Sequence, residues 1–361
     1  MSFVKAIFIV LLFSTAAYAE SDVYGVIEVG SKGIKGVVIQ LLPKAGEEGV
    51  GMEVREELKP ENKTPILPSA TDDAANAVSA IFGQITQKFT IPNDHVFIYG
   101  SSGVAQNPNK SELATKIKEK TGRELDFIAV EQEAQFAFDG VVPLGRRNQV
   151  AFIDIGGGNI KGGYLEQPEG KLNTFEIPLG TAAFEKQIND SRGETPFLEK
   201  AEALRVEALT PKIRETSEKK PGLINLKRVY LAGGISFALS TLTRPEQRNA
   251  FSRLSSEDII TFYNRATRNP DILFKPDLNK ITNATTKSEV DADIKKIQSG
   301  MYSLNGYIAG AEILKALSTE LDFKQKDAIF FAKNAMQAIP LGYLHKMLEN
   351  PAKKQSEEDK I

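Results

Sequence analysis

Two glycine-rich turns, each entered through a carboxylate and each carrying lysine, are the segments of this chain best suited to chemistry. The first lies in Ile27-Glu28-Val29-Gly30-Ser31-Lys32-Gly33-Ile34-Lys35. The second lies in Ile153-Asp154-Ile155-Gly156-Gly157-Gly158-Asn159-Ile160-Lys161. Glycine lets a tight turn take positive φ and lets backbone N–H groups crowd around an anion. An acid two residues ahead of a glycine is placed to orient a hydrated divalent cation. One such turn also describes an ordinary β-hairpin. Two of them point to a polyphosphate gripped between two related halves. Gly30, Ser31, Lys32 and Gly33 form one expected cradle; Gly156, Gly157, Gly158 and Asn159 form the other. Lys32, Lys35 and Lys161 offer positive charge to a polyanion, and they read equally well as surface lysines. Glu28 also reads as a strand-end acid paired with Lys32 or Lys35.

Each turn needs a strand on either side. Val23 to Leu42 reads as strand, turn, strand, and Met52 to Glu57 adds a third strand. Thr71 to Phe89 reads as a helix with Asp72 as its N-cap, since Val78, Ile81, Ile85 and Phe89 recur at helical spacing. A strand over His95 to Tyr99 follows, then a helix over Ser111 to Thr121 stopped by Gly122. A strand over Phe127 to Val130 leads to a helix over Glu131 to Val141. The order then restarts with strand, turn, strand over Val150 to Leu165 and a strand over Leu172 to Ile177. Further on, Val229 to Ala232 is a strand. It enters a helix through Gly233 and Gly234, where Ser236 and the helix N-terminus suit a phosphate. Close strand–helix packing explains the same glycines.

Composition narrows the function classes. The chain has 361 residues, enough for two domains, and a formal net charge of −2. No field of one sign favours nucleic acid or an anionic membrane. There is no cysteine, so thiolate zinc sites and thiol nucleophiles are excluded. The two histidines, His95 and His345, accompany no nucleophile motif. Lys5, the apolar run Ala6 to Phe13 and the triad Ala17-Tyr18-Ala19 form a cleavable leader over residues 1–19. The expected location is therefore periplasmic or secreted, with no stable membrane anchor after cleavage. The domain reading is an N-terminal unit at 22–147, a C-terminal unit at 148–350 and a charged tail at 351–361.

Five segments together resemble the exopolyphosphatase/guanosine-pentaphosphate phosphohydrolase (Ppx/GppA) family of the actin–sugar kinase–Hsp70 superfamily. They are Ile27-Glu28-Val29-Gly30-Ser31, Glu131-Gln132-Glu133-Ala134, Ile153-Asp154-Ile155-Gly156-Gly157-Gly158, Leu231-Ala232-Gly233-Gly234 and Ala309-Gly310-Ala311-Glu312-Ile313-Leu314. The resemblance implies an α/β fold of two ribonuclease H-like (actin-like ATPase) domains with a cleft between them, and final helices that cross back to the first domain. It implies that Glu133 is the catalytic glutamate, with Glu131 as the alternative acid. It further implies that Asp154 and Glu28 hold Mg²⁺ or Ca²⁺, and that Gly233 and Gly234 border bound phosphate or nucleotide. The expected partner is polyphosphate or a nucleotide polyphosphate, and a homodimer is the candidate assembly.

The chain is also similar to apyrase-type nucleoside triphosphate diphosphohydrolases, through Gly30 to Lys35 and Ser101-Ser102-Gly103-Val104. It departs from these families at three places. Glu28 stands where Asp is usual, Ala105 where an arginine is usual, and Lys161 where exopolyphosphatases often carry an acid. Three functions follow: an exported exopolyphosphatase-type hydrolase, an apyrase-like nucleoside tri- or diphosphatase, and a catalytically weak polyphosphate or nucleotide sensor.

Overall fold

A computed structural model of the chain describes residues 23–30, 33–42, 52–60, 70–167 and 170–349. The leader expected at 1–19, Ser31, Lys32 and the tail at 351–361 lie outside the described residues. The first half runs β1 (Val23–Gly30), β2 (Gly33–Leu41), β3 (Met52–Leu58), α1 (Thr71–Gly83), β4 (Val96–Gly100), α2 (Ser102–Ala105), α3 (Lys110–Thr121), β5 (Leu125–Phe127) and α4 (Val130–Val141). Its sheet has the order β3-β2-β1-β4-β5, with β2 antiparallel to both neighbours and β4 and β5 parallel to β1.

The second half opens with β6 (Val150–Ile155), β7 (Ile160–Leu165), β8 (Leu172–Ile177) and α5 (Thr181–Ser191). Helices α6 (Phe197–Leu204), α7 (Thr210–Lys219) and α8 (Gly222–Asn225) lead to β9 (Arg228–Ala232) and α9 (Gly234–Thr243). Then come β10 (Phe251–Leu254), α10 (Ser256–Thr267), α11 (Ala284–Gln298), α12 (Leu304–Glu320), β11 (Ala328–Ala332) and α13 (Ala338–Glu349). The sheet order is β10-β11-β9-β6-β7-β8. Without the edge strand β10, it repeats the connectivity of the first sheet. In both sheets, the turn between the first two strands is a glycine-rich turn read from the sequence.

Strand alternation distributes the core. On the first sheet, Ile27, Val29 and Val38 pack with Val78, Ile81 and Ile85 from α1 and the turn after it. The intervening Val26, Val37 and Ile39 face the other way and pack with Leu341, Tyr343 and Leu344 of α13. The last helix therefore lies on the first sheet, although it follows the second sheet in the chain. Helix α4 lies between the two sheets. Phe136 joins the cluster with β1 and α13, while Phe138 and Val141 join Phe152 and Tyr230 of the second sheet. Glycines let α4 and α13 cross backbone to backbone: a Cβ at Gly140 would overlap Ala338 O, and one at Gly342 would overlap Phe136 O.

Several local expectations shift. The α1 N-cap is Ala70 without a side-chain bond, and Asp72 lies inside the first turn. His95 belongs to a 3₁₀ turn, so β4 begins at Val96. The strand expected at Phe127 to Val130 is β5, ending at Phe127. Ala129 is already the cap of α4, because its N–H donates to the Gln132 side chain at 2.9 Å. Helix α9 starts at Gly234, two residues before Ser236.

Candidate functional site

The β6–β7 turn is built so that its N–H groups face away from the nearest helix. Gly156 N–H donates to Asn159 O at 2.9 Å and closes the turn. The three glycine carbonyls accept from the start of α5: Gly156 O from Thr181 N (2.9 Å), Gly157 O from Ala183 N (2.9 Å) and Gly158 O from Gly180 N (3.0 Å). In a trans peptide the C=O and N–H point in opposite directions. The N–H groups of Gly157, Gly158 and Asn159 therefore project away from α5. Those of Gly157 and Gly158 have no backbone partner among the described residues. The Asn159 side chain is turned aside, donating to Glu176 Oε1 at 2.6 Å.

Asp154 stands at the end of β6, beside this turn. Across the ladder it faces Lys161 of β7, with Nζ 4.0 Å from Oδ2. Burial holds the Asp154 carboxyl above the usual aspartate range, and the Lys161 charge partly offsets this. On the other side Asp154 neighbours Ala232 of β9. Gly233 follows at φ 92°, a conformation that glycine alone takes without strain, and a Cβ there would overlap Ile155 O. Tyr302 lies over the start of α9, where a Cβ on Gly234 would be 2.6 Å from its hydroxyl oxygen. Ser236 is fully buried in the first turn of α9.

The first hairpin repeats the arrangement. Glu28 of β1 faces Lys35 of β2 in register, and their charged atoms are 2.9 Å apart. Gly30 pairs with Gly33 at the end of the ladder. Tyr99, opposite Glu28 on β4, donates its hydroxyl to Glu28 Oε2 at 2.8 Å. Burial and then the Glu28 charge push this phenol well above its ordinary value, so it stays a donor. Glu133 lies on α4 nearby, and its Oε1 accepts the Ser102 N–H at the start of α2, 2.6 Å away. Glu131 is exposed, whereas Glu133 is half-buried. The capping bond of Gln132 fixes the helix phase that separates them.

A cleft of about 380 Å³ joins the two hairpins. Lys35 reaches it from the first sheet, and Asp154, Gly156, Gly157, Lys161, Gly233 and Gly234 from the second. Ala137, one helical turn beyond Glu133, also lines it. Met301, Tyr302, Ala335, Met336 and the stretch from Ala338 to Pro340 supply walls that no sequence motif marks. Gly158, Asn159, Glu28, Gly30, Gly33, Glu131 and Glu133 do not line this cavity. Ser31 and Lys32 lie outside the described residues.

The sequence profile of the Ppx/GppA phosphatase family matches residues 36–230, more than half of the chain. The chain belongs to the Ppx/GppA phosphatase family. That family hydrolyses phosphoanhydride bonds, and its members are built from two actin-like ATPase domains. No curated protein sequence matches the chain. Among solved structures, it is similar to the type II variant of the Aquifex aeolicus Ppx/GppA phosphatase. The TM-score is 0.63 at 14% identity, covering 89% of this chain and 98% of that one. It is also similar to an exopolyphosphatase from Cytophaga hutchinsonii, with a TM-score of 0.52 at 16% identity, covering 91% and 98%. At such identities the likeness speaks for the fold.

Proposed function

We propose that this member of the family is an exported phosphoanhydride hydrolase of the exopolyphosphatase type, releasing phosphate from polyphosphate or a nucleotide polyphosphate. One observation carries the reading. One cleft is lined from one side by Lys35 and from the other by Asp154, Lys161, Gly156 and Gly157, the last with an N–H that has no backbone partner among the described residues. Such a cleft suits a chain of phosphates, which the turn binds through N–H groups and the lysines through charge.

Glu133 is the base in this reading, on its match to the family's catalytic glutamate and its place one turn of α4 before Ala137, which lines the cleft. The Ser102 N–H fixes one carboxylate oxygen, and the other, which has no hydrogen-bond partner among the described residues, accepts a proton from water. As that water attacks the terminal phosphorus, the bridging P–O bond breaks and the shortened chain leaves with its bonding electrons. The protein otherwise positions and neutralises.

Ppx/GppA phosphatases generally use divalent cations. Among the described residues, no three Asp, Glu or His side chains gather into a ligand cluster. Asp154 is the carboxylate that lines the cleft, while Glu28 is engaged by Lys35 and Tyr99. Mg²⁺ or Ca²⁺ would thus rest on Asp154, with phosphates and water completing its shell, a common arrangement for Mg²⁺. Once bound, it would neutralise charge on the phosphates. The leader at 1–19 supports export to the periplasm or beyond.

The test is phosphate release by the mature protein given polyphosphate, ATP or guanosine pentaphosphate with Mg²⁺ or Ca²⁺. Release from polyphosphate is expected. Release from ATP alone would move the function to the apyrase type, and release from none would make the chain a sensor.

A further inference from the structure

We propose that Lys35 and Lys161 form a metal-independent grip on a linear polyphosphate chain, so that ground-state affinity does not require a divalent cation. The inference rests on the phosphohydrolase reading of the same cleft.

The two lysines occupy equivalent places. Each stands on the second strand of its hairpin, directly opposite the acid of the first strand, and both line one cleft. Each of these lysines therefore offsets the charge of the acid it faces. A polyanion entering between them meets two ammonium groups paired with two carboxylates, not two bare carboxylates. Without the lysines, Asp154 would repel the chain, and a cation would have to stand between them.

Neither lysine is locked to its acid. The Lys161 ammonium is 4.0 Å from Asp154 Oδ2, longer than a charge-assisted hydrogen bond of about 2.7–2.9 Å, and its side chain is 49% exposed. Lys35 touches Glu28 at 2.9 Å, but Glu28 keeps the Tyr99 hydroxyl as a second partner at 2.8 Å. Lys35 can therefore swing to a phosphate without leaving a buried carboxylate unpartnered. Its own side chain is 37% exposed. Lysine is a point charge on a flexible stem and does not impose the planar fork of arginine. Two such groups facing one cleft follow a repeating phosphate chain in any register, so the ligand class is linear inorganic polyphosphate.

The experiment is titration calorimetry of the mature protein with polyphosphate of defined length, in chelator and in Mg²⁺ at matched ionic strength. Wild-type affinities in the two conditions are expected to agree within about threefold. Lys161→Ala is expected to lose about tenfold or more in chelator, the worth of one charge-assisted bond. In Mg²⁺ it should recover most of that loss, because a cation on Asp154 then neutralises the phosphates in place of the missing ammonium. A merely structural lysine would not show such recovery. Asp154→Asn should bind in chelator at least as tightly as wild type. Wild-type binding in Mg²⁺ alone would overturn the lysine grip and leave the hydrolase reading standing. Unchanged affinity of Lys161→Ala in chelator would also overturn it. Binding in neither condition would remove polyphosphate as the ligand and defeat both readings.

Discussion

Asp154 and Lys161 face each other across the β6–β7 ladder, 4.0 Å apart, as Glu28 and Lys35 face each other across β1–β2. The relationship is asymmetric in energy. Lys35 meets its acid at hydrogen-bond distance, whereas Lys161 leaves Asp154 largely to its own burial. The Asp154 carboxyl is accordingly held above the usual range, first by desolvation.

This gives a stability prediction with a definite sign. An acid with a raised pKa in the folded state penalises the fold at neutral pH, where it must carry its charge. Asp154→Asn should raise the melting temperature of the ligand-free protein at pH 7 while lowering turnover. The gain should shrink as pH falls through the raised folded value and vanish below the ordinary aspartate value of about 3.9, where wild type is protonated in both states. Thermal unfolding at several pH values checks it. A variant less stable than wild type at pH 7 would show that the Lys161 attraction outweighs the desolvation.

The crossing of α4 and α13 predicts a remote effect on the site. Gly342→Ala would drive a methyl into Phe136 O and push apart the helices that hold Glu133 in place. We expect a loss of about 1–3 kcal/mol in denaturant unfolding, the usual cost of overpacking, together with reduced turnover. Unchanged stability would mean that the helices separate freely.

Much of this was legible in the sequence because it is local. Both glycine hairpins, their acids and their lysines lie within short spans, and short apolar runs mark their strands. The connectivity β-β-β-α-β-α-β-α was readable for the same reason. Phe251–Leu254 and Ala328–Ala332 were not read as strands. Each is too short to show a period, and each gains its partners only through pairing with the other and with β9. The differing exposure of Glu131 and Glu133 is not legible in the sequence, because it depends on the helix phase set by the cap at Ala129. Tyr302 and the wall of Ala335, Met336 and Ala338 to Pro340 carry no motif. They reach the cleft from segments remote in the chain, and only the tertiary fold brings them there.

Export makes a prediction independent of the site. The n-region, apolar run and Ala17-Tyr18-Ala19 triad predict removal of residues 1–19. Intact mass of the protein from its native envelope should correspond to a chain starting at Glu20. A cytosolic protein retaining Met1 would contradict the proposed location.

The central claim is that Glu133 supplies the base in a phosphoanhydride hydrolase, and Glu133→Gln tests it most directly. The amide oxygen can still accept the Ser102 N–H, so the local structure is kept while the proton acceptor is lost. The measurement is phosphate release from polyphosphate under saturating conditions, with binding followed in parallel and Glu131→Gln as the comparison. The account predicts that Glu133→Gln lowers turnover by roughly 10²–10⁴-fold with affinity nearly unchanged. Glu131→Gln should behave as wild type. Near-normal turnover in Glu133→Gln would contradict the account and leave Glu133 as the carboxylate that caps α2.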